Sequence, residues 1–319
     1  MSRPLSRDEV AAARNDPKQA NILYHDWEAS TYDEKWSISY DRRCIDYACD
    51  RLAKVADIDP RRAGYQPVGD VLELGCGTGF FLLNLMQEGL ALRGHLSDLS
   101  PGMVDVAVRN GTALGLDVDG RVADGESLPY DDNSMDLVVG HAVLHHIPDV
   151  EQALREVIRV LRPGGRFVFA GEPTQYGDVI ARRLSRLTWR LTTGITRVGR
   201  LQEWRRPQVE LDDSSRAAEL EAVVDLHTFA PDTLRRMAIA AGAVDVNVRT
   251  EELTAAMLGW PVRTFEAAVP KEKLGIGWAM FAMRSWQRLS RLDDTVLRHV
   301  VPEGLFYNAL VSGVKPETR

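Results

Sequence analysis

The stretch Val71 to Phe80, VLELGCGTGF, constrains this chain more than any other. A run of strand-forming residues breaks into glycine at positions 75, 77 and 79, then resumes as Phe-Phe-Leu-Leu. Glycine at alternate positions between a strand and a helix makes a turn with no side chains to hold a ligand off the backbone. It stands just ahead of a helix N-terminus, where unpaired N–H groups point outward. Such turns belong to sheets in which a helix follows each strand, and the flanking sequence has that alternation. Apolar runs at Val71–Leu74, Gly94–Asp98, Gly120–Ala123, Met135–Gly140 and Arg166–Gly171 alternate with amphipathic stretches at Gly79–Glu88, Pro101–Leu114 and Val150–Leu161. The pattern predicts an α/β fold with a mostly parallel sheet and helices on both faces. Ser100 before Pro101 predicts a helix start, and Pro163-Gly164-Gly165 predicts a helix stop ahead of the fifth strand. Farther on, APDTLRRMAIAAGAVDVNV predicts a helix ending at Gly242 and a sixth strand, and LFYNALVSGVKP a seventh.

These signals divide the 319 residues into a helical N-terminal cap and linker (1–67), a ligand-binding core (68–173), a helical insertion (174–228), a continuation of the core (229–250), a second helical insertion (251–303) and a last core strand (304–319). Long insertions in a compact domain usually serve as lids or substrate walls. A net charge of −7 argues against a general affinity for nucleic acid. Three scattered cysteines supply neither a disulfide framework nor a zinc knuckle. The polar start, MSRPLSRDEV, and the lack of a long uncharged apolar run predict a cytoplasmic protein, monomeric or homodimeric.

The dinucleotide fingerprint G-x-G-x-x-G would need glycine at position 80, which is Phe80, and a Walker loop would need Gly-Lys-Ser/Thr, which is absent. What remains, E-x-G-x-G-x-G over Glu73 to Gly79, resembles motif I of the class I S-adenosylmethionine-dependent methyltransferases. Four further stretches follow at family spacing. Asp98, in LSDLSPGMVDVA, closes the second strand 23 positions beyond Gly75, where an acid takes ribose hydroxyls in doubly wound folds. RVADGESLPYDDNSMDLVV resembles the stretch whose acid, here Asp124, bonds the adenine amino group. HAVLHHIPD and LREVIRVLRPGGRFVFAGEP resemble the fourth- and fifth-strand motifs of the ubiquinone and menaquinone methyltransferase-like branch.

The resemblance is close from Asp70 to Pro173 and looser beyond. It implies a Rossmann-like sheet of seven strands, order 3-2-1-4-5-7-6 with the last antiparallel, and S-adenosyl-L-methionine as methyl donor, released as S-adenosyl-L-homocysteine. Cofactor contacts then fall on Glu73, Gly75, Cys76, Gly77, Gly79, Asp98, Leu99, Met103, Asp124, Gly125 and His141. Catalysis falls on His145 and His141; by resemblance His145 holds or deprotonates an accepting hydroxyl. The substrate and lid positions are Tyr32 and Trp36 in HDWEASTYDEKW, His146, Glu172 and Trp260.

Each assignment has a plainer reading. The glycines serve geometry alone, Asp98 caps a helix, Asp124 opens a turn with Gly125, and Glu73 pairs with a nearby base. Cys76 packs against the turn, having no basic neighbour in sequence to make a thiolate. The histidines support a loop. His141 and His145, four apart, would share a helical face and invite a metal, but Pro148 limits that helix and no third ligand follows at zincin spacing, so no metal is expected.

The acceptor class is narrowed by absences. The chain has neither the Asn/Asp-Pro-Pro-Tyr/Phe motif of amino-methylating nucleic-acid enzymes nor the Pro-Cys of cytosine enzymes nor the paired glutamates of arginine methyltransferases. None of the seven tryptophans lies between Asp70 and Pro173; five sit in the insertions, as an apolar pocket wall or as those helices' own core. Residues 178–200 alternate arginine with apolar residues, as a peripheral membrane contact or a solvated helix face. The reading reached is methyl transfer to an oxygen, or secondarily a carbon, of a hydrophobic or lipid-linked small molecule. A catalytically idle cofactor-binding module and a nicotinamide-dependent reductase are the rivals.

Overall fold

The computed structural model describes residues 16–211 and 223–317; the MSRPLSRDEV start lies outside the described residues, as does part of the first insertion. Three helices lead, α1 (Pro17–Glu28), α2 (Tyr32–Trp36) and α3 (Arg42–Ala56). The alternating core follows as β1 (Val68–Leu74), α4 (Phe80–Gln87), β2 (Ala91–Asp98), α5 (Pro101–Ala113), β3 (Val118–Val122), β4 (Met135–His141), α6 (Val150–Val160) and β5 (Leu161–Pro173). Then come α7 (Gln175–Ile195), α8 (Pro231–Ala240), β6 (Val244–Glu251), α9 (Thr254–Ala268), α10 (Ile276–Thr295) and β7 (Asn308–Val314).

The strands form one sheet of order β3-β2-β1-β4-β5-β7-β6. All neighbours are parallel except β7, antiparallel to both β5 and β6. Because side chains alternate along a strand, adjacent residues feed opposite faces. Leu72, Val138, Phe167 and Phe169 pack under α6 and α8 against Leu154, Val157 and Leu234. Val71, Leu137, Val139 and Val168 face the other way, against Phe81, Leu82 and Leu85 of α4 and Ala48 and Leu52 of α3.

Several boundaries differ from the sequence expectation; the first and second strands each begin three residues earlier, at Val68 and Ala91. The fifth strand begins at Leu161, directly after α6, because Leu161 already pairs with Met135; Pro163-Gly164-Gly165 lies inside the strand instead of ending the helix. Gly164 and Gly165 instead exchange backbone hydrogen bonds with Lys315 just past β7. The third strand is Val118–Val122 rather than Gly120–Ala123. As an edge strand with its residues partly or fully exposed, it has no apolar alternation to mark its start.

The insertions are tied down by capping and charge. α9 begins after Leu253, which has no side-chain acceptor, so Asp293 of α10 supplies one, taking hydrogen bonds from Thr254 N (3.0 Å), Thr254 Oγ1 (2.6 Å) and Ala255 N (3.0 Å). Arg51 of α3 donates to Glu251 Oε1 (2.8 Å) and Glu252 Oε1 (3.0 Å), while Lys54 bridges Glu251 to Asp294. Arg51 and Glu251 are both buried, so removing one member strands charge in a dry environment. Arg51→Ala is expected to destabilise the fold by about 3 kcal/mol in urea unfolding; a change within experimental error would mean that the network does not hold α3 to β6.

Candidate functional site

β1, β2 and β4 run side by side and end at one edge, Leu74 beside Ser97 and Glu73 beside Val139. There the glycine turn opens into a cavity of about 1200 Å³, walled by α1, α2, the turn after β4, α9 and α10. The three glycines answer to different constraints. All have positive φ: Gly75 62°, Gly77 51°, Gly79 87°. A Cβ on Gly75 would lie 2.1 Å from Val143 Cγ2, and one on Gly79 2.5 Å from Leu83 Cδ1, so both are required by the protein's own packing. At Gly77 the nearest atom would be Tyr32 Cε1 at 3.9 Å, so its bare backbone faces the cavity. Gly79 caps α4 and does not line the cavity.

The carboxylates are buried differently. Glu73 accepts from Phe81 N (3.3 Å) and Leu82 N (3.2 Å) at the start of α4, and no basic side chain pairs with it among the described residues. Burial drives its carboxyl up to about 8, against those two donors. Asp98 accepts from Gly77 N and Ser100 N, both at 2.9 Å, which ties the glycine turn to the start of α5; burial raises its carboxyl also. Ser100, rather than Asp98, caps α5, by accepting from Met103 N. Met103 itself is buried behind that helix and does not reach the cavity, a correction to its expected contact role. Asp124 lines the cavity with Leu99 and Gly125, but its Oδ2 is ion-paired to Lys18 of α1 at 2.6 Å and its Oδ1 accepts from Glu126 N. Cys76 is buried, and its thiol is held well above the ordinary range by burial and by the nearby acids Asp98 and Glu73.

The histidines come from the end of β4 and the 3₁₀ turn after it. His141 Nε2 lies 3.1 Å from Tyr47 OH, with its ring among Tyr47, Phe80 and Phe81. Burial, with Arg51 nearby, depresses it to about 4, so it is neutral at physiological pH. His145 Nδ1 lies 2.9 Å from Glu172 Oε2. Glu172, expected at the substrate, lies wholly buried beneath the cavity, where its carboxylate accepts from Val143 N, Leu144 N and His145 N. Burial pushes its carboxyl up, but the His145 hydrogen bond and the backbone donors outweigh burial and hold it below the usual range. An ionised Glu172 fixes the proton of His145 on Nδ1 and the lone pair on Nε2, 3.9 Å from Asp225 Oδ1. His146 stacks on His145 at 4.0 Å, approaches His25 at 5.3 Å and bonds Val224 O through Nδ1. His145, His146 and Asp225 bring three ligand-type atoms within 4.8 Å of one another, a different set from the His141–His145 pair weighed in sequence.

On the α9 and α10 side the cavity mixes apolar residues with charged ones, among them Arg263, Glu266, Arg291 and Asp294. Trp260 and Trp286 line it with Met283 and the small residues Ala255, Ala256, Gly259, Ala279 and Ala282. Tyr32 and Trp36 close the opposite side, and Arg263 of α9 stacks over Trp36 at 4.6 Å, joining cap to insertion. Trp278 instead packs on Phe265 and Phe281, so the tryptophans serve both as pocket wall and as the insertion's own core. Sequence reasoning missed Lys18, Tyr47 and Asp225, none of which lies in a recognisable motif; only the fold brings them to the edge of the sheet.

Residues 72–169 match the methyltransferase domain family. The chain is 34% identical over 152 residues to 27-O-demethylrifamycin SV methyltransferase of Amycolatopsis mediterranei, covering 46% of this chain and 53% of that one. It is 33% identical over 127 residues to demethylmenaquinone methyltransferase of Thermus thermophilus, covering 40% and 51%. The chain thus spans about half the length of these curated relatives. The fold is shared with the Haemonchus contortus phosphoethanolamine N-methyltransferase 2 complex with S-adenosyl-L-methionine, at 14% identity and a TM-score of 0.53, over 92% of this chain and 60% of that one. The family match falls on the strands and turns that build the glycine loop, the Asp98 strand end and the His145 turn: residues 72–169 of this chain are a methyltransferase domain.

Proposed function

We propose that the chain transfers the methyl group of S-adenosylmethionine to an oxygen, or secondarily a carbon, of a hydrophobic or lipid-linked small molecule. The observation that carries this reading is the Glu172–His145 pair, which presents a polarised imidazole to a cavity whose α9 and α10 side carries Trp260, Trp286, Met283 and several alanines beside charged residues. The names of two relatives, a 27-O-demethylrifamycin SV methyltransferase and a demethylmenaquinone methyltransferase, agree with an extended apolar acceptor.

The bound donor supplies an activated methyl group on a sulfonium. The chain's own residues then have three tasks. Gly77 offers bare backbone and Asp98 spare acceptor capacity for ribose hydroxyls, with Glu73 beside them for an ammonium. His145 Nε2 takes the acceptor's proton as its oxygen attacks; Glu172 and Asp225 flank the ring on both nitrogens and stabilise the imidazolium that forms. Tyr32, Trp36 and Trp260 exclude water, which strengthens each of these interactions.

Asp98→Asn is expected to weaken S-adenosylmethionine binding by roughly 10- to 100-fold, the cost of about 1.5–3 kcal/mol in charge-assisted hydrogen bonds, with a lower melting temperature because one of the two backbone donors loses its acceptor; calorimetry on the folded variant that finds wild-type affinity removes Asp98 from the site. Glu73 makes a pH-dependent prediction. In the unliganded protein its carboxyl stays protonated up to about 8, and an ammonium docked beside it favours the carboxylate, so binding releases a proton and affinity rises as pH approaches 8. Calorimetry at pH ~7 in buffers of different ionisation enthalpy measures that proton; equal heats in all buffers would count against the ammonium assignment. His145→Ala is expected to lower kcat by about 10²- to 10⁴-fold with cofactor affinity nearly unchanged. Full turnover of that variant against an apolar phenol or alcohol would leave His145 a structural role only.

A further inference from the structure

Helix α7 leaves the sheet at Thr174, whose hydroxyl caps it, and carries a face whose composition no packing partner among the described residues explains. Residues 175–202 hold six arginines and a single acid, Asp178, in a chain of net charge −7. Arg183, Arg186 and Arg190, spaced by three and four, form one row along the helix; Leu187, Leu191 and Ile195, spaced by four, form the row beside it. Val179, Leu187, Leu191 and Ile195, with Val198 and Leu201 just past the helix, are 44–69% exposed. Arg183, Arg186, Arg190, Arg197 and Arg200 are also exposed and make no ion pair among the described residues, while Asp178 is taken by Arg182.

Scattered exposed leucines are ordinary, but six large aliphatic groups along one stretch are not. A face meant for water would pair its arginines with acids, and a face meant for a protein core would carry no row of arginines. The two rows together suit a boundary, where aliphatic groups enter an acyl layer and guanidinium groups reach back to phosphates. No described helix is long and apolar enough to cross a membrane, so α7 would lie in the plane of one. Its other side borders the cavity: Asp178 and Arg182 are in the cavity wall, and α7 lies along α9, which contributes Trp260.

We infer that the exposed face of α7 docks in plane on a negatively charged lipid bilayer and so places the mouth of the acceptor cavity at the lipid surface. The docking stands on the helix face alone; the delivery of an acceptor from the lipid rests on the proposed reaction. Sedimentation of the full chain with phosphatidylglycerol-containing vesicles, against phosphatidylcholine alone, tests it. The expected result is binding to the anionic vesicles, roughly tenfold or more weaker to neutral ones, and declining with salt. The pairs Arg186→Glu with Arg190→Glu, and Leu187→Ser with Leu191→Ser, should each reduce partitioning roughly tenfold or more while S-adenosylmethionine affinity, which reports the fold, is kept. Absence of vesicle binding, or equal binding by both double variants, overturns the inference. So does a dimer that Leu187→Ser with Leu191→Ser dissociates, since the face would then be a contact between two copies. Methyl transfer enters none of these readouts, so vesicle binding without any methylated product would sink the proposed reaction and leave the docking intact.

Discussion

The carboxylate of Glu172 holds the site together. Completely buried, it takes three backbone hydrogen bonds from Val143, Leu144 and His145 and a fourth from the His145 ring. A buried carboxylate left without donors would protonate or force local rearrangement, so the turn after β4 is bound to wrap around it. That turn places Val143 where a Cβ on Gly75 would have to be, and so shapes the glycine loop on the neighbouring strand. The loop in turn offers Gly77 N to Asp98 at the end of β2. One buried acid at the end of β5 therefore sets the geometry of three strand ends.

The same chain of contacts explains why the acids differ in character. Glu172 is surrounded by donors and stays ionised, which keeps the imidazole of His145 in the tautomer a base requires. Among the described residues Glu73 has two longer backbone donors and no cation beside it, so burial wins and its carboxyl keeps a proton. Depth of burial is nearly equal for the two; the number and charge of hydrogen-bond partners decides their state. A site whose ligand brings its own positive charge has reason to leave one carboxyl short of partners.

Most of the sheet was legible because its strands are buried on both faces and read as apolar runs, and because the glycine turn has few structural uses. The edge strand β3 was misplaced by two residues at its start because an exposed strand carries no alternation, and Pro163-Gly164-Gly165 misled because a helix breaker also accommodates an irregular strand. Residue roles were less legible than elements. Glycines at positions 75 and 79 look like ligand contacts in a motif, yet the clashes they avoid are with Val143 and Leu83. Glu172 looked like a substrate contact from its place at a strand end; its direction, inward beneath the turn, depends on the bulge between Phe169 and Glu172 in the pairing with β7. Tyr47 and Asp225 carry no motif and are brought to the histidines only by how α3 and the first insertion fold over the sheet.

The insertions complete the wall of the cavity at the edge of the core sheet. The 72–169 core supplies Glu73, Asp98, Asp124 and the histidines, and α9 and α10 add Trp260, Trp286 and Met283 beside Arg263, Glu266 and Asp294. The small residues Ala255, Ala256, Gly259, Ala279 and Ala282 open space between α9 and α10, and Trp260 and Trp286 give that space flat walls. Asp293 capping α9 together with the Arg51–Glu251–Lys54 network fixes the position of these walls. Buried ion pairs contribute little net stability but punish any arrangement that separates them, which makes them better suited to fixing the width of a chamber than to strengthening the fold.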